Sequence, residues 1–502
     1  MTGLHLKVSR FGFYLGPAVF VLVKMLPVFP TASVSNMAAT AALMVVWWMT
    51  EALPLAATAL LPLILFPVLG ITSGKEVAAV YMNSTIFLFI GGFILALTMQ
   101  RWHLHTRIAL RVISWFQGSA MYMVLGFMVT SAGLSMWVSN TATATMLLPI
   151  GLAVYARAAD QLNQQDRQNL LTAMMLGIAY ACSIGGVSTL IGTPPNLAMQ
   201  RIFEITFPLA PEITFAQWLI FALPFSLSML LITWAVISMR YTGRGFTKLK
   251  FSTDEVHEMS GRPMSYEEKI VAVVFSLTAL SWMFRKDIVI GELIIPGWSG
   301  LFDTARLIND GTIAIAAALV LFSIPARNRE QYRRIADDEI IRKLPWHIVL
   351  LFGGGFALAK GFTVSGLSEY IGHQFADMKD LDPMTLVAGV SATVVFLTEV
   401  TSNTATSEML LPLVASVAKA IDINPLLLML SVTLSASMAF MMPIATPPNA
   451  IVFASGKLRI RDMIKTGIII NLVAIVLITL LVWFVGSAVF NIDASTMPDW
   501  AQ

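Results

Sequence analysis

Apolar residues run through this chain in blocks too long for a soluble core, with polar residues collected between them. The blocks fall at roughly 11–30, 37–53, 54–70, 83–100, 170–199, 216–239, 268–284, 311–325, 346–362, 425–454 and 464–490. A helix needs about 20 apolar residues to cross the hydrocarbon of a bilayer, so each block is expected to be a transmembrane helix. Two further apolar pairs, 120–138 with 142–158 and 383–399 with 405–420, have no charged loop between their arms. Each pair is therefore expected to be a re-entrant hairpin. Irregular backbone at that depth is tolerated only where protein or water surrounds it. The first block follows Lys7 and Arg10, but it is too long for a signal peptide and lacks a small-residue cleavage site. The expected fold is an all-α polytopic membrane protein, with about eleven transmembrane helices plus two re-entrant hairpins.

Composition agrees with this pattern. The 502 residues are 57% hydrophobic and 12% charged, about half the charge a soluble domain carries. Disorder is excluded by the same hydrophobicity. A single cysteine, Cys182, excludes an internal disulfide framework, a cysteine-rich zinc site and an iron–sulfur cluster. The net charge of +3 gives no basic face for nucleic acid. Basic residues do set an orientation, since they favour the cytoplasmic side. With the N-terminus inside, segments 1–10, 101–117, 157–167, 240–269, 326–343 and 455–465 are cytoplasmic and hold 23 of the 32 Lys and Arg. The C-terminal tail, 491–502, is then extracytoplasmic. The expected location is a bacterial inner (plasma) membrane.

The chain also repeats itself. Phe89, Gly91, Gly92, Phe93 and Ala96 recur 263 positions later as Phe352, Gly354, Gly355, Phe356 and Ala359. Residues 139–149 match 402–412 at nine of eleven positions with the same offset. Thr193-Pro194-Pro195-Asn196 recurs as Thr446-Pro447-Pro448-Asn449, at an offset of 253. The topology brings the first hairpin in from the cytoplasm and the second from outside. The repeats are thus inverted, a plan common among secondary transporters.

These repeated motifs carry the candidate chemistry. Ser139-Asn140-Thr141 and Ser402-Asn403-Thr404 lie at the hairpin turns and supply neutral oxygens, which suit hard cations such as sodium. The helix that follows each turn points its positive end at the turn, a place for an anion. The prolines of the second motif break a long apolar run and free the carbonyls of Gly192 and Ala445 for a cation. The plainer alternatives are ordinary helix caps and packing kinks. Two inverted copies at membrane depth favour function.

In this combination the motifs resemble the divalent anion/sodium symporter (DASS) family of sodium-coupled di- and tricarboxylate carriers. The likeness covers nearly the whole chain, including Thr50-Glu51-Ala52-Leu53-Pro54. The resemblance implies one sodium held by Ser135, Ser139, Asn140 and the Gly192 carbonyl. It implies a second held by Thr398, Ser402 or its neighbour Ala405, Asn403 and the Ala445 carbonyl. It places substrate carboxylates on Asn140, Thr141, Asn403 and Thr404, with Thr193, Thr446 and Pro447 completing the pocket. It further implies a homodimer working by an elevator motion. The scaffold is then 1–117 (with an interfacial helix at 101–117) and 241–382. The moving unit is 118–240 and 383–490, and amphipathic stretches 101–117 and 363–378 serve as arms. The expected function is coupling of sodium entry to uptake of dicarboxylates such as succinate, malate or fumarate, without an organic cofactor. An exchanger without net sodium coupling and an anion channel are the alternatives, and no acid pair or nucleophile suggests an enzyme.

Some charges fall outside the duplicated set. Glu51, Glu399 and Glu408 lie within or beside apolar runs, where ionisable residues are functional candidates. Glu399 aligns with Met136 and Glu408 with Thr145, so packed structural carboxylates are expected there. Lys360 and Lys419 are expected to snorkel. His103 and His105, two apart on a helix, do not share a face as a metal pair would.

Overall fold

A computed structural model of the chain describes residues 2–116, 119–159, 162–241, 263–290, 293–327, 332–375, 379, 381–494 and 496–501. Most of the basic loop 240–269 and the last residues of the stretch 363–378 lie outside the described residues.

The first half runs α1 (Thr2–Met25), α2 (Ala32–Thr50), α3 (Leu55–Thr58), α4 (Leu61–Val68), α5 (Gly74–Val80), α6 (Ser84–Arg101), α7 (Leu104–Ile113), α8 (Ala120–Ser135), α9 (Asn140–Ala159), α10 (Gln164–Gly186), α11 (Pro194–Thr206) and α12 (Phe215–Tyr241). The second half runs α13 (Tyr266–Met283), α14 (Asp310–Ser323), α15 (Asp338–Arg342), α16 (Trp346–Ser365), α17 (Leu367–Gln374), α18 (Pro383–Leu397), α19 (Asn403–Ala420), α20 (Pro425–Ser435), α21 (Pro447–Ala454), α22 (Ile460–Leu481) and α23 (Ser487–Phe490). Helices α7, α8 and α9 begin 263 positions before α17, α18 and α19, so the sequence repeat is also a repeat of elements. Seven helices among the described residues are long and apolar enough to cross a membrane.

Local rules explain the boundaries. Asn83 starts α6 by accepting from the N–H groups of Thr85 and Ile86, and Ser265 and Glu268 form a capping box at α13. The expected span 54–70 is not one helix. Pro54 precedes α3 and Pro62 sits in the first turn of α4, where proline is favoured, so the run divides into α3 and α4, with Pro67 inside α4. A short antiparallel strand pair, β1 (Ile288–Ile290) and β2 (Leu293–Ile295), was not expected and follows α13. The stretch 101–117 contains a distinct helix, α7, that starts only after His103 turns left-handed (φ 57°).

Helix α10 lies at the centre, and every residue from Leu170 to Gly186 is buried. A helix apolar on all sides is expected inside a bundle. It packs on both arms of the first hairpin, α8 and α9, and on α12 and α21. Helices α18 and α19 pack on α20, and α18 also on α22. A separate group forms around α1, α2, α3, α4 and α16, while α6, α13 and α14 pack together. Helix α16 touches α11 and α19, joining the two groups. Close approach at such seams depends on small residues.

Candidate functional site

The site is assembled from four chain breaks. At the first hairpin, α8 ends at Ser135 and α9 starts at Asn140. Ser139 accepts from the Ala142 N–H at 3.3 Å and so caps α9. Ser135, fully buried, donates through its hydroxyl to Asn140 Oδ1. The second hairpin repeats the device: Thr398 Oγ1 lies 2.8 Å from Asn403 Oδ1 and 2.8 Å from the Ala436 carbonyl.

The other two breaks precede the proline motifs. In both, the prolines occupy the first turn of a new helix, α11 or α21, where their missing N–H is not needed. The unwound residues before them need another source of hydrogen bonds, and the motif's last residue supplies it. Asn196 Nδ2 donates to the Val187 and Thr189 carbonyls at 3.1 and 2.7 Å. Asn449 Nδ2 donates to the Ala439 and Met442 carbonyls at 3.1 and 3.1 Å. Both asparagines are buried. This clasp was not anticipated, although its signal was present in the repetition of the asparagine itself.

Glu399 holds the second break from another side. Its carboxylate accepts from the N–H groups of Phe440, Met441 and Met442 at 2.7, 2.8 and 2.9 Å and from Asn471 Nδ2 at 2.7 Å. In the first half the equivalent residue is Met136, whose carbonyl accepts from Thr189 Oγ1 at 2.5 Å. Glu399 is thus the packed, hydrogen-bonded carboxylate expected from its absence in the first repeat. Glu399→Gln would set an amide NH2 against backbone donors. A loss of about 2 kcal/mol is expected for hydrogen bonds to a charged group, to be read as a lower Tm in detergent. An unchanged Tm would contradict this role.

The breaks bring oxygens together. A Cβ on Gly186 would lie 2.7 Å from Asn140 Oδ1 and 3.2 Å from the Gly192 carbonyl. A Cβ on Gly192 would run into the Gly186 carbonyl and come within 3.1 Å of the Met136 carbonyl. Neutral oxygens of Asn140, Gly186, Gly192 and Met136 therefore crowd one spot, next to Ser135. This donor set fits a hard monovalent cation. No cluster of three His, Cys, Asp or Glu occurs among the described residues.

A cavity of about 870 Å³ lies between the breaks. Ser139, Asn140, Thr141, Gly192, Thr193, Ser402, Asn403, Thr404, Ala445, Thr446 and Pro447 all line it. Ser135 and Thr398 lie behind it, each bonded to a lining asparagine. Ala405 is elsewhere: it is buried in an apolar cluster with Met37, Met44 and Trp48. Thr401 and Phe93 also line the cavity and were not anticipated. Among the described residues, Glu51, in left-handed backbone at φ 46°, is the one charged residue in the lining, and no Lys, Arg or His belongs to it.

Comparison with known proteins extends this picture. The profile described as "Sodium:sulfate symporter transmembrane region" matches residues 12–491. The chain is 40% identical over 494 residues to a protein of Staphylococcus saprophyticus named sodium-dependent dicarboxylate transporter SdcS, covering 96% of this chain and 92% of that one. The protein of the same name from Staphylococcus aureus is 42% identical over 458 residues, covering 89% and 85%. Among solved structures, the antimetabolite efflux pump MtrF of Neisseria gonorrhoeae aligns with a TM-score of 0.58 at 14% identity, covering 92% of this chain and 97% of that one. The YdaH transporter of Alcanivorax borkumensis aligns with a TM-score of 0.54 at 12% identity, covering 88% and 98%. These two share the fold.

Proposed function

The chain belongs to the sodium:sulfate symporter family, and from that premise we propose that it couples sodium entry to uptake of di- or tricarboxylates such as succinate, malate and fumarate. It is a membrane transport protein and not an enzyme. The observation that carries the reading is a cavity lined by both copies of both motifs and, among the described residues, by no cationic side chain. A dicarboxylate there must find its positive charge elsewhere, since burying an uncompensated anion is costly. Two sodium ions supply it. The first binds Ser135, Ser139, Asn140 and the Gly192 carbonyl, with the Gly186 and Met136 carbonyls close by. The second binds Thr398, Ser402, Asn403 and the Ala445 carbonyl. The N-terminal ends of α9, α11, α19 and α21 all begin at residues lining the cavity or beside them, and their dipoles favour the substrate carboxylates. Asn140, Thr141, Thr193, Asn403, Thr404, Thr446 and Pro447 make the contacts. Sodium binds first and the anion second.

Coupling of this kind is measurable. Succinate is expected to bind at least about a hundredfold more tightly in sodium than in choline, near the upper end of usual coupling energies. Calorimetry giving equal affinities would refute the coupling. Uptake of labelled succinate into proteoliposomes, driven by an imposed sodium gradient, tests the transport reading itself.

The cavity lining also includes Val8, Glu51, Leu55, Ile348 and Ile460, which the proposed distribution of basic residues assigns to cytoplasmic ends. Helices α8 and α18, with 16 and 15 residues, are shorter than the ~20 needed to span, which supports two re-entrant hairpins. Alternating access then proceeds by sliding 118–240 with 383–490 against the scaffold, 1–117 with 241–382. Two such chains form a homodimer through their scaffolds.

A further inference from the structure

The two halves carry the same residues but do not pack alike. Gly91 and Gly92 of α6 repeat as Gly354 and Gly355 of α16. In each pair the first glycine meets the scaffold: a Cβ on Gly91 would lie 2.5 Å from Ala314 Cβ, and one on Gly354 2.6 Å from Ala59 Cβ. The second glycine faces the moving unit. A Cβ on Gly92 would find Ile191 at an ordinary 3.4 Å, whereas one on Gly355 would meet Glu408 Cγ at 2.5 Å. The second hairpin is thus docked tightly on its seam. Thr145, which corresponds to Glu408 in the first hairpin, is exposed.

Glu408 is 0% exposed, and neither carboxyl oxygen has a hydrogen-bond partner. Tyr81, whose hydroxyl donates to the Ala59 carbonyl, is the titratable group set against it. Charged groups on the neighbouring helices are engaged elsewhere. Arg201 and Glu204 of α11 pair with each other. Lys360 of α16 faces Glu76, and His347 at its start is exposed. Lys419 of α19 lines a surface pocket with Glu369 and His373 of α17. Helices α2 and α20 carry no titratable side chain. A bare carboxylate in such surroundings is avoided by binding a proton.

The next step rests on the proposed alternating-access reading. In an inverted repeat the opposite orientation exchanges the roles of the halves. Thr145 then comes onto Gly92, and Glu408 takes the exposure that Thr145 has here. We propose that Glu408 is a proton-binding site in the sliding seam, protonated when docked on Gly355 and open to water when undocked, so that one proton binds and leaves in each cycle.

The test compares wild type with Glu408→Gln and Glu408→Thr in proteoliposomes. Fumarate, whose carboxylates both stay ionised from neutral to alkaline pH, is taken up on a saturating sodium gradient, with internal and external pH kept equal. Wild-type uptake is expected to fall on the alkaline side, approaching about tenfold per pH unit, the slope of one proton. Glu408→Gln is expected to keep the neutral-pH rate across the range. Glu408→Thr, which carries the first half's own residue, gives the same readout if the glutamine variant does not fold. A flat wild-type profile, or a slope that persists in either folded variant, overturns the proton site. Sodium-driven uptake by wild type at neutral pH is the separate readout of the transport reading, and its absence would fail that reading and the proton site together.

Discussion

Asn140→Ala and Asn403→Ala are each expected to lower sodium-driven succinate uptake more than about a hundredfold while leaving the protein folded. Both asparagines line the cavity, and each amide oxygen also faces the hydroxyl behind it, Ser135 or Thr398. On the proposed reading each side chain serves a cation through its Oδ1 and the anion through its Nδ2. A hydrogen bond or ligand to a charged group contributes about 1.5–3 kcal/mol. Two such losses at one residue exceed the ~2.7 kcal/mol that corresponds to a hundredfold change. Folding should survive, because both residues begin a helix at the cavity and not in its packed interior. Uptake at wild-type rates by both variants, with unchanged melting in detergent, would refute the site assignment.

The proposed sliding motion gives the second large effect. Glu212 lies between α11 and α12 of the proposed moving unit, and Lys286 follows α13 of the proposed scaffold. Their side chains are 2.5 Å apart. The contact adjoins a buried pair, Arg285 with Asp310 at 2.6 Å, and Asp310 also accepts from the Phe215 N–H at 3.3 Å. Glu212→Cys with Lys286→Cys, bridged by a short bifunctional reagent, should trap one orientation and reduce uptake to the level of empty liposomes. Reductive cleavage of the bridge should restore it. The native Cys182 is fully buried and will not compete for the reagent. Full activity after complete bridging would rule out sliding between these units.

Much of the site was legible because the chain states it twice. Nine matches in eleven positions, and a proline motif at a second fixed offset, marked the four breaks before any geometry was known. Hydropathy marked most helices but averaged over Pro54, Pro62 and Pro67, so 54–70 was read as one span where the backbone makes two short helices. The strand pair had a signal in the β-branched residues Ile288–Ile290 and Ile294–Ile295, masked by the surrounding apolar helices. Glu399 shows a deeper limit. Its partners are backbone N–H groups about forty residues further on, and no side-chain pattern announces a backbone donor. The Gly186 and Met136 carbonyls were missed for the same reason: every residue carries a carbonyl, and only the fold selects which ones converge.

Among the described residues no cationic side chain lines the cavity, and this has an electrical consequence. A charge carried through a membrane potential of 100 mV gains or loses about 2.3 kcal/mol. A carrier that met its cargo with a built-in arginine would drag that charge through the field on every stroke, loaded or empty. Here the compensating charge arrives with the cargo and leaves with it. On the proposed stoichiometry two sodium ions and a dicarboxylate sum to zero, so the cargo itself adds no charge to the loaded stroke. A tricarboxylate would load the same cavity with one net negative charge.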